Sequence, residues 1–103
     1  MAYVLRFTQQ YNPKNRRDFL EIESKFRSLE QHSPTLPKGR RSQPVAGGEP
    51  THSIIWECEF GSWVEVERAL RQLEEDPAHT DLFEQQAQYI TGLRTEIFEI
   101  LEF

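Results

Sequence analysis

Residues 51–60, Thr-His-Ser-Ile-Ile-Trp-Glu-Cys-Glu-Phe, alternate strictly, with His52, Ile54, Trp56, Cys58 and Phe60 on one side and Ile55, Glu57 and Glu59 on the other. A period of two is that of a β-strand, whose successive side chains leave opposite faces. Directly after it, Ser62-Trp63-Val64-Glu65 has the spacing of a capping box, in which the hydroxyl accepts from the third amide and the carboxylate reaches back to the cap amide. The chain therefore passes from strand to helix at Gly61-Ser62. Trp63, Val66, Leu70 and Leu73 form a stripe at helical spacing. Asp76-Pro77 breaks that helix and restarts a shorter one through Leu82, Phe83, Gln86 and Ile90, which Thr91-Gly92 should end.

Working outward, Tyr3, Leu5 and Phe7 alternate with Val4, Arg6 and Thr8 in a first strand. Asn12-Pro13 reads as a cap with proline at the first helical position. Phe19, Ile22, Phe26 and Leu29 then recur at gaps of three and four, the stripe of a first helix. Residues 32–39, with two prolines and a glycine, read as a surface loop. Arg40 to Ala46 allows only a short strand, and Pro44 assigns it to a sheet edge. Gly47-Gly48-Glu49-Pro50 is turn chemistry. Arg94 to Phe103 reads as a last strand, with Ile97, Leu101 and Phe103 on one face and Phe98 and Ile100 on the other.

The resulting order, βαββαβ, is the split βαβ arrangement, an α+β, ferredoxin-like fold. Its four-stranded antiparallel sheet carries two main helices on one face. A length of 103 residues suits one domain, residues 1–103, with no room for a second core. With Tyr3, Leu5, Phe7, Ile54, Trp56, Cys58 and Phe60 under the helices, Val4 and Ile55 face outward, together with either Phe98 and Ile100 or Ile97 and Leu101. An apolar outer face needs a cover, and the simplest is the same face of a second copy, two sheets closing as a barrel. A homodimer is the expectation, against a monomer carrying a modest apolar patch.

Composition narrows the function. Twelve Lys and Arg against seventeen Asp and Glu give a net charge of −5, which supplies no electrostatic footprint for nucleic acid. No apolar run is long enough to span a membrane, and Met1 to Phe7 shows no basic-then-apolar leader, so the cytoplasm is the expected compartment. The single Cys58 excludes an internal disulfide. Sitting in an apolar strand with no neighbouring cation, it reads as a small hydrophobe rather than a nucleophile. Three scattered His with no i, i+4 pair and no HxH give no metal-site spacing, and no metal is expected. Acyl-hydrolase, Walker and dinucleotide glycine patterns are absent. Residues 1–50 hold nine Lys and Arg against five acids, and residues 51–103 hold three against twelve. Complementary halves suit contact between two copies, although exposed ion pairs contribute only about 0–1 kcal/mol each.

The stretch Ile54–Leu82, IIWECEFGSWVEVERALRQLEEDPAHTDL, resembles the central segment of dimeric α/β-barrel proteins of the stress-responsive, antibiotic-monooxygenase-like and NIPSNAP-like kind. In these an aromatic strand runs into a Ser- and Trp-containing turn and an amphipathic helix ending at Asp-Pro. The resemblance implies the fold, the dimer, and a pocket in each subunit between the helices and the inner sheet face. Members include cofactor-independent oxygenases, isomerases, haem-degrading enzymes and proteins without known activity, so the architecture does not carry the chemistry across.

Candidate site residues follow from the strand faces. Tyr3, Trp56 and His52 fall on the helix side, where an aromatic pocket suits a flat organic ligand. His52, as an imidazole titrating near neutrality, is the candidate catalytic base. Otherwise Tyr3 and Trp56 are core and His52 is a solvated strand end. His79 shares a stripe with Phe83 and Gln86 and approaches the same pocket from the helix side; its alternative is a surface position in the helix's first turn. Haem would take His79 or His52 as axial ligand, with nothing beyond their availability to support it, so no cofactor is expected. Arg6, Glu57 and Glu59 share the outer face, where opposite charges should pair. Two functions remain open. One is a homodimeric barrel that binds a small aromatic or apolar metabolite and acts on it as a cofactor-independent oxygenase or isomerase. The other is a non-catalytic structural or interaction dimer whose pocket its own side chains fill.

Overall fold

Alternation in three long segments and helical spacing between them produce β1 (Tyr3–Tyr11), α1 (Arg16–His32), β2 (Arg40–Ser42), β3 (Ser53–Phe60), α2 (Trp63–Glu75), α3 (Pro77–Ala87) and β4 (Ile90–Glu99). These are the elements of a computed structural model that describes residues 1–103. The strands form one antiparallel sheet in the order β2-β3-β1-β4, the expected α+β, ferredoxin-like topology, with α3 as an added third helix packed against α1 and α2.

Register sorts the side chains. Tyr3, Leu5, Phe7 and Gln9 pair with Phe60, Cys58, Trp56 and Ile54 of β3, and with Glu99, Ile97, Thr95 and Leu93 of β4. Since a strand pair keeps facing residues on one side, these form the helix-facing surface. The outer face holds Val4, Arg6 and Thr8, flanked by Glu59, Glu57 and Ile55 and by Phe98, Glu96 and Arg94. Phe98, not Ile97, is thus the outward residue of β4. On that face Arg6 pairs with Glu57 at 3.0 Å and lies 4.6 Å over the Phe98 ring. Glu49, in the loop before β3, pairs with Arg94 of β4. The loop therefore reaches over β1, beside the buried Thr8 and Ser53.

Several boundaries differ from the sequence expectation. Asn12 caps not α1 but a 3-10 turn, Pro13–Asn15, by accepting from the Lys14 amide. The Trp63 position of α2 is 46 % exposed, and the buried stripe is Val66, Ala69 and Leu73. Ser62 does accept from the Glu65 amide, and the Glu65 carboxylate accepts from the Gly61 amide rather than from the cap amide itself. Most consequentially, α3 ends at Ala87, and Ile90-Thr91-Gly92 belong to β4, which starts four residues before Arg94. Pairing with Tyr11 overrides the helix-ending chemistry of Thr91-Gly92, and Gly92 instead lies at the register shift beside Gln10. Beyond Glu99 only the Ile100 amide still bonds, to the Ala2 carbonyl, leaving Leu101 and Phe103 exposed.

The core begins at one end of the sheet, where the Tyr11 and Phe19 rings stack at 4.7 Å over Ile54. Burying each such side chain contributes about 1.5–3 kcal/mol. The middle of the sheet is different, because the helix layer does not fill it.

Candidate functional site

A cavity of about 170 Å³ lies between the helices and the centre of the sheet. Phe7, Trp56, Phe26, Phe83 and Leu73 form its apolar wall. The Phe7 and Trp56 rings, on neighbouring strands, stack at 5.1 Å as its floor. Leu93 and Thr95 of β4, both exposed, also line it, so the opening lies on the β4 side. Gly39 packs against the other side of Trp56, so closely that a Cβ there would sit 1.9 Å from the indole Cε2. Only a residue without a side chain permits that approach.

The remaining wall is charged. Glu23 and Glu30 project from α1, and Arg41 from β2 lies between them, its Nε donating to Glu23 Oε2 and its Nη2 touching Glu30 Oε2, both at 2.5 Å. Trp56 Nε1 donates to Glu30 Oε1 at 2.6 Å, and Gln86 Nε2 donates to Glu23 Oε1 at 2.9 Å. The Arg41 contact to Glu30 Oε2 is a charge contact outside hydrogen-bond geometry, so that buried oxygen has no hydrogen-bond donor. One guanidinium against two carboxylates leaves the cluster with a net negative charge.

His79 stands beside this cluster, its ring 5.0 Å from Phe26 and its amide held by the Asp76 side chain at the start of α3. Burial pushes the imidazole below its ordinary value of 6.5, against the opposing pull of Asp76, Glu30 and Glu23. It is therefore mainly neutral at pH 7, with a lone pair available to an occupant of the cavity. Burial likewise pushes the Cys58 thiol up, reinforced by Glu30 and Glu59, which fits an unreactive thiol. No three His, Cys, Asp or Glu side chains converge as a metal site.

No protein-family model matches the sequence, and no curated protein matches it either. Solved structures do. A NIPSNAP family protein from Agrobacterium tumefaciens superposes with a TM-score of 0.79 at 13 % identity, over 100 % of this chain and 96 % of that one. An uncharacterised NIPSNAP-like domain protein from Burkholderia xenovorans gives 0.77 at 14 %, over 99 % and 87 %. A candidate antibiotic biosynthesis monooxygenase from Nitrosomonas europaea gives 0.71 at 10 %, over 97 % and 90 %. The chain has the NIPSNAP-like, antibiotic-monooxygenase-like fold. At these identities the likeness extends to the backbone architecture and not to the side chains, so the site must be judged on its own geometry.

Within this NIPSNAP-like fold the four residues singled out in the sequence part company. Trp56 and His79 both line the cavity. His52 does not; it precedes β3 at the sheet end, its ring edge-on to Tyr11 at 6.4 Å. Tyr3 lies at the opposite end of β1, edge-on to Trp63 at 5.5 Å. Sequence reasoning missed Glu23, Glu30, Arg41 and Gly39. A signal for the two carboxylates existed: Phe19, Glu23, Phe26 and Glu30 recur at gaps of four, three and four, placing both acids on the buried stripe of α1.

Proposed function

We propose that the chain is a homodimeric small-molecule-binding barrel protein whose ligand is a single small ring held against Trp56. The carrying observation is the aromatic cavity with a charged end. A dry cavity of comparable size, about 150 Å³, accommodates benzene. A haem would not fit in it, which supports a cofactor-free reading. Chemistry of the oxygenase or isomerase type starts when a proton leaves the ligand, and our candidate to receive it is His79, which lines the cavity, rather than His52, which does not. The imidazolium so formed would be stabilised by Glu23, Glu30 and Asp76, whose charges already favour it.

For the dimer, support comes from the outer face. Val4, Ile55 and the 40 % exposed Phe98 share it, and the exposed Leu101 and Phe103 trail from the adjacent strand end. Closing two such faces would cover these groups, while Arg6 and Glu57 stay paired. A filled, non-catalytic interaction dimer is the competing reading, and the open space beside Trp56 weighs against it.

Thermal-shift screening against phenols, quinones, lactones and haem tests the binding reading, because a specific ligand raises apparent stability by mass action. We expect a one-ring compound to raise the melting temperature of the native protein and to lose that effect in a Phe83→Trp variant that fills the cavity. No shift from any of them would remove it. Light scattering giving the mass of one chain would remove the dimer.

A further inference from the structure

We propose that the cavity selects a ring bearing a neutral or cationic hydrogen-bond donor, such as a hydroxymethyl or aminomethyl group, and rejects ring carboxylates. This rests on the small-molecule reading above and adds the polarity and charge of the ligand's functional group.

Every donor aimed at the carboxylates is committed. The Trp56 indole N–H is taken by Glu30, the Gln86 amide N–H by Glu23, and the Arg41 guanidinium by both acids. On the two acids what remains is acceptor capacity. Glu30 Oε2 is buried and touched only by Arg41 Nη2, outside hydrogen-bond geometry, on a residue 5 % exposed that lines the cavity. A buried carboxylate oxygen left this way gains most from a charge-assisted bond to an incoming O–H or N–H. A carboxylate ligand meets the opposite situation. It would add a negative charge beside two acids balanced by a single arginine, a cost that bonds to the donors left on the lining, at Gln9, His79 and Thr95, would have to outweigh.

Calorimetric titration of the intact protein at pH 7 with toluene, benzyl alcohol, benzylamine and benzoate tests this. The four share a ring and differ only in the polar group. We expect benzyl alcohol and benzylamine to bind at least about tenfold more tightly than toluene, with benzoate weaker than toluene. The discrimination should persist in 1 M salt, where the Debye length is about 3 Å, because it arises inside the cavity and not from the acidic surface. Benzoate binding as tightly as benzylamine, or toluene as tightly as benzyl alcohol, would overturn the proposal while leaving the cavity a ligand site. Absence of binding by all four would remove the small-molecule reading and this proposal together. In Glu30→Gln the preference for benzylamine over benzoate should fall about tenfold or more; the ligand series on the native protein decides the matter if that variant does not fold.

Discussion

Trp56 Nε1 donates to Glu30 Oε1 at 2.6 Å, so the central strand and the first helix are joined by a buried bond between an aromatic donor and a carboxylate. The same indole is the cavity's floor, stacked with Phe7 and pressed by Gly39. Trp56→Phe keeps an aromatic ring there and removes the N–H. We expect a loss of about 1.5–3 kcal/mol, the range for a hydrogen bond to a charged group. Urea denaturation should show a lower midpoint with an unchanged slope.

Gly39→Ala acts on the same ring by another route. A Cβ at 1.9 Å from Cε2 cannot be accommodated without moving the indole or the loop. Forced repacking of this kind costs about 1–3 kcal/mol. The expected outcome is a lower melting temperature together with a shifted tryptophan emission, whereas Gly48→Ala, in open space, should leave both nearly unchanged.

Arg41 is the sole countercharge to two buried acids. Arg41→Met would leave Glu23 and Glu30 uncompensated, and breaking a buried pair in this way costs about 3–5 kcal/mol. We expect little folded protein at neutral pH by circular dichroism. The companion variant with Glu23→Gln and Glu30→Gln as well as Arg41→Met should recover much of the loss, because no buried charge then stands alone.

Burial of His79 has a definite pH signature. Its folded value lies below 6.5, so between the two values the unfolded chain binds the proton more readily. The stabilisation from keeping His79 neutral is full above pH 6.5 and is lost as pH falls through the lowered folded value. Denaturant midpoints measured from pH 8 to pH 5 should decline below about 6.5 in the native protein, and His79→Leu should flatten that part of the curve.

The fold was legible because β1 and β3 alternate cleanly and the apolar stripes of α1 and α2 recur at helical gaps. Those patterns report burial of hydrocarbon, and they place Trp56 and Phe7 correctly under the helices. Glu23 and Glu30 escaped because a charged residue on a helix reads as solvated unless its countercharge is known, and Arg41 sits 11 residues after Glu30 in a three-residue strand. Gly39 read as a loop breaker because its close contact is with Trp56 of β3, distant in sequence. The early start of β4 was hidden for a related reason: Thr91-Gly92 has helix-ending chemistry, and only pairing with β1 turns it into strand. His52 and Tyr3 lie on sheet ends, where face assignment says nothing about distance from a cavity at the centre.

The account stands on ligand entry beside Trp56, and tryptophan fluorescence reads that contact directly. The chain has two tryptophans, so Trp63→Phe leaves Trp56 as the sole reporter. Titrating this variant with benzylamine should give a saturable change in emission that disappears when the cavity is filled by adding the non-fluorescent substitution Leu73→Phe in the same background. A flat titration up to millimolar benzylamine and benzyl alcohol, with the variant folded, would contradict it.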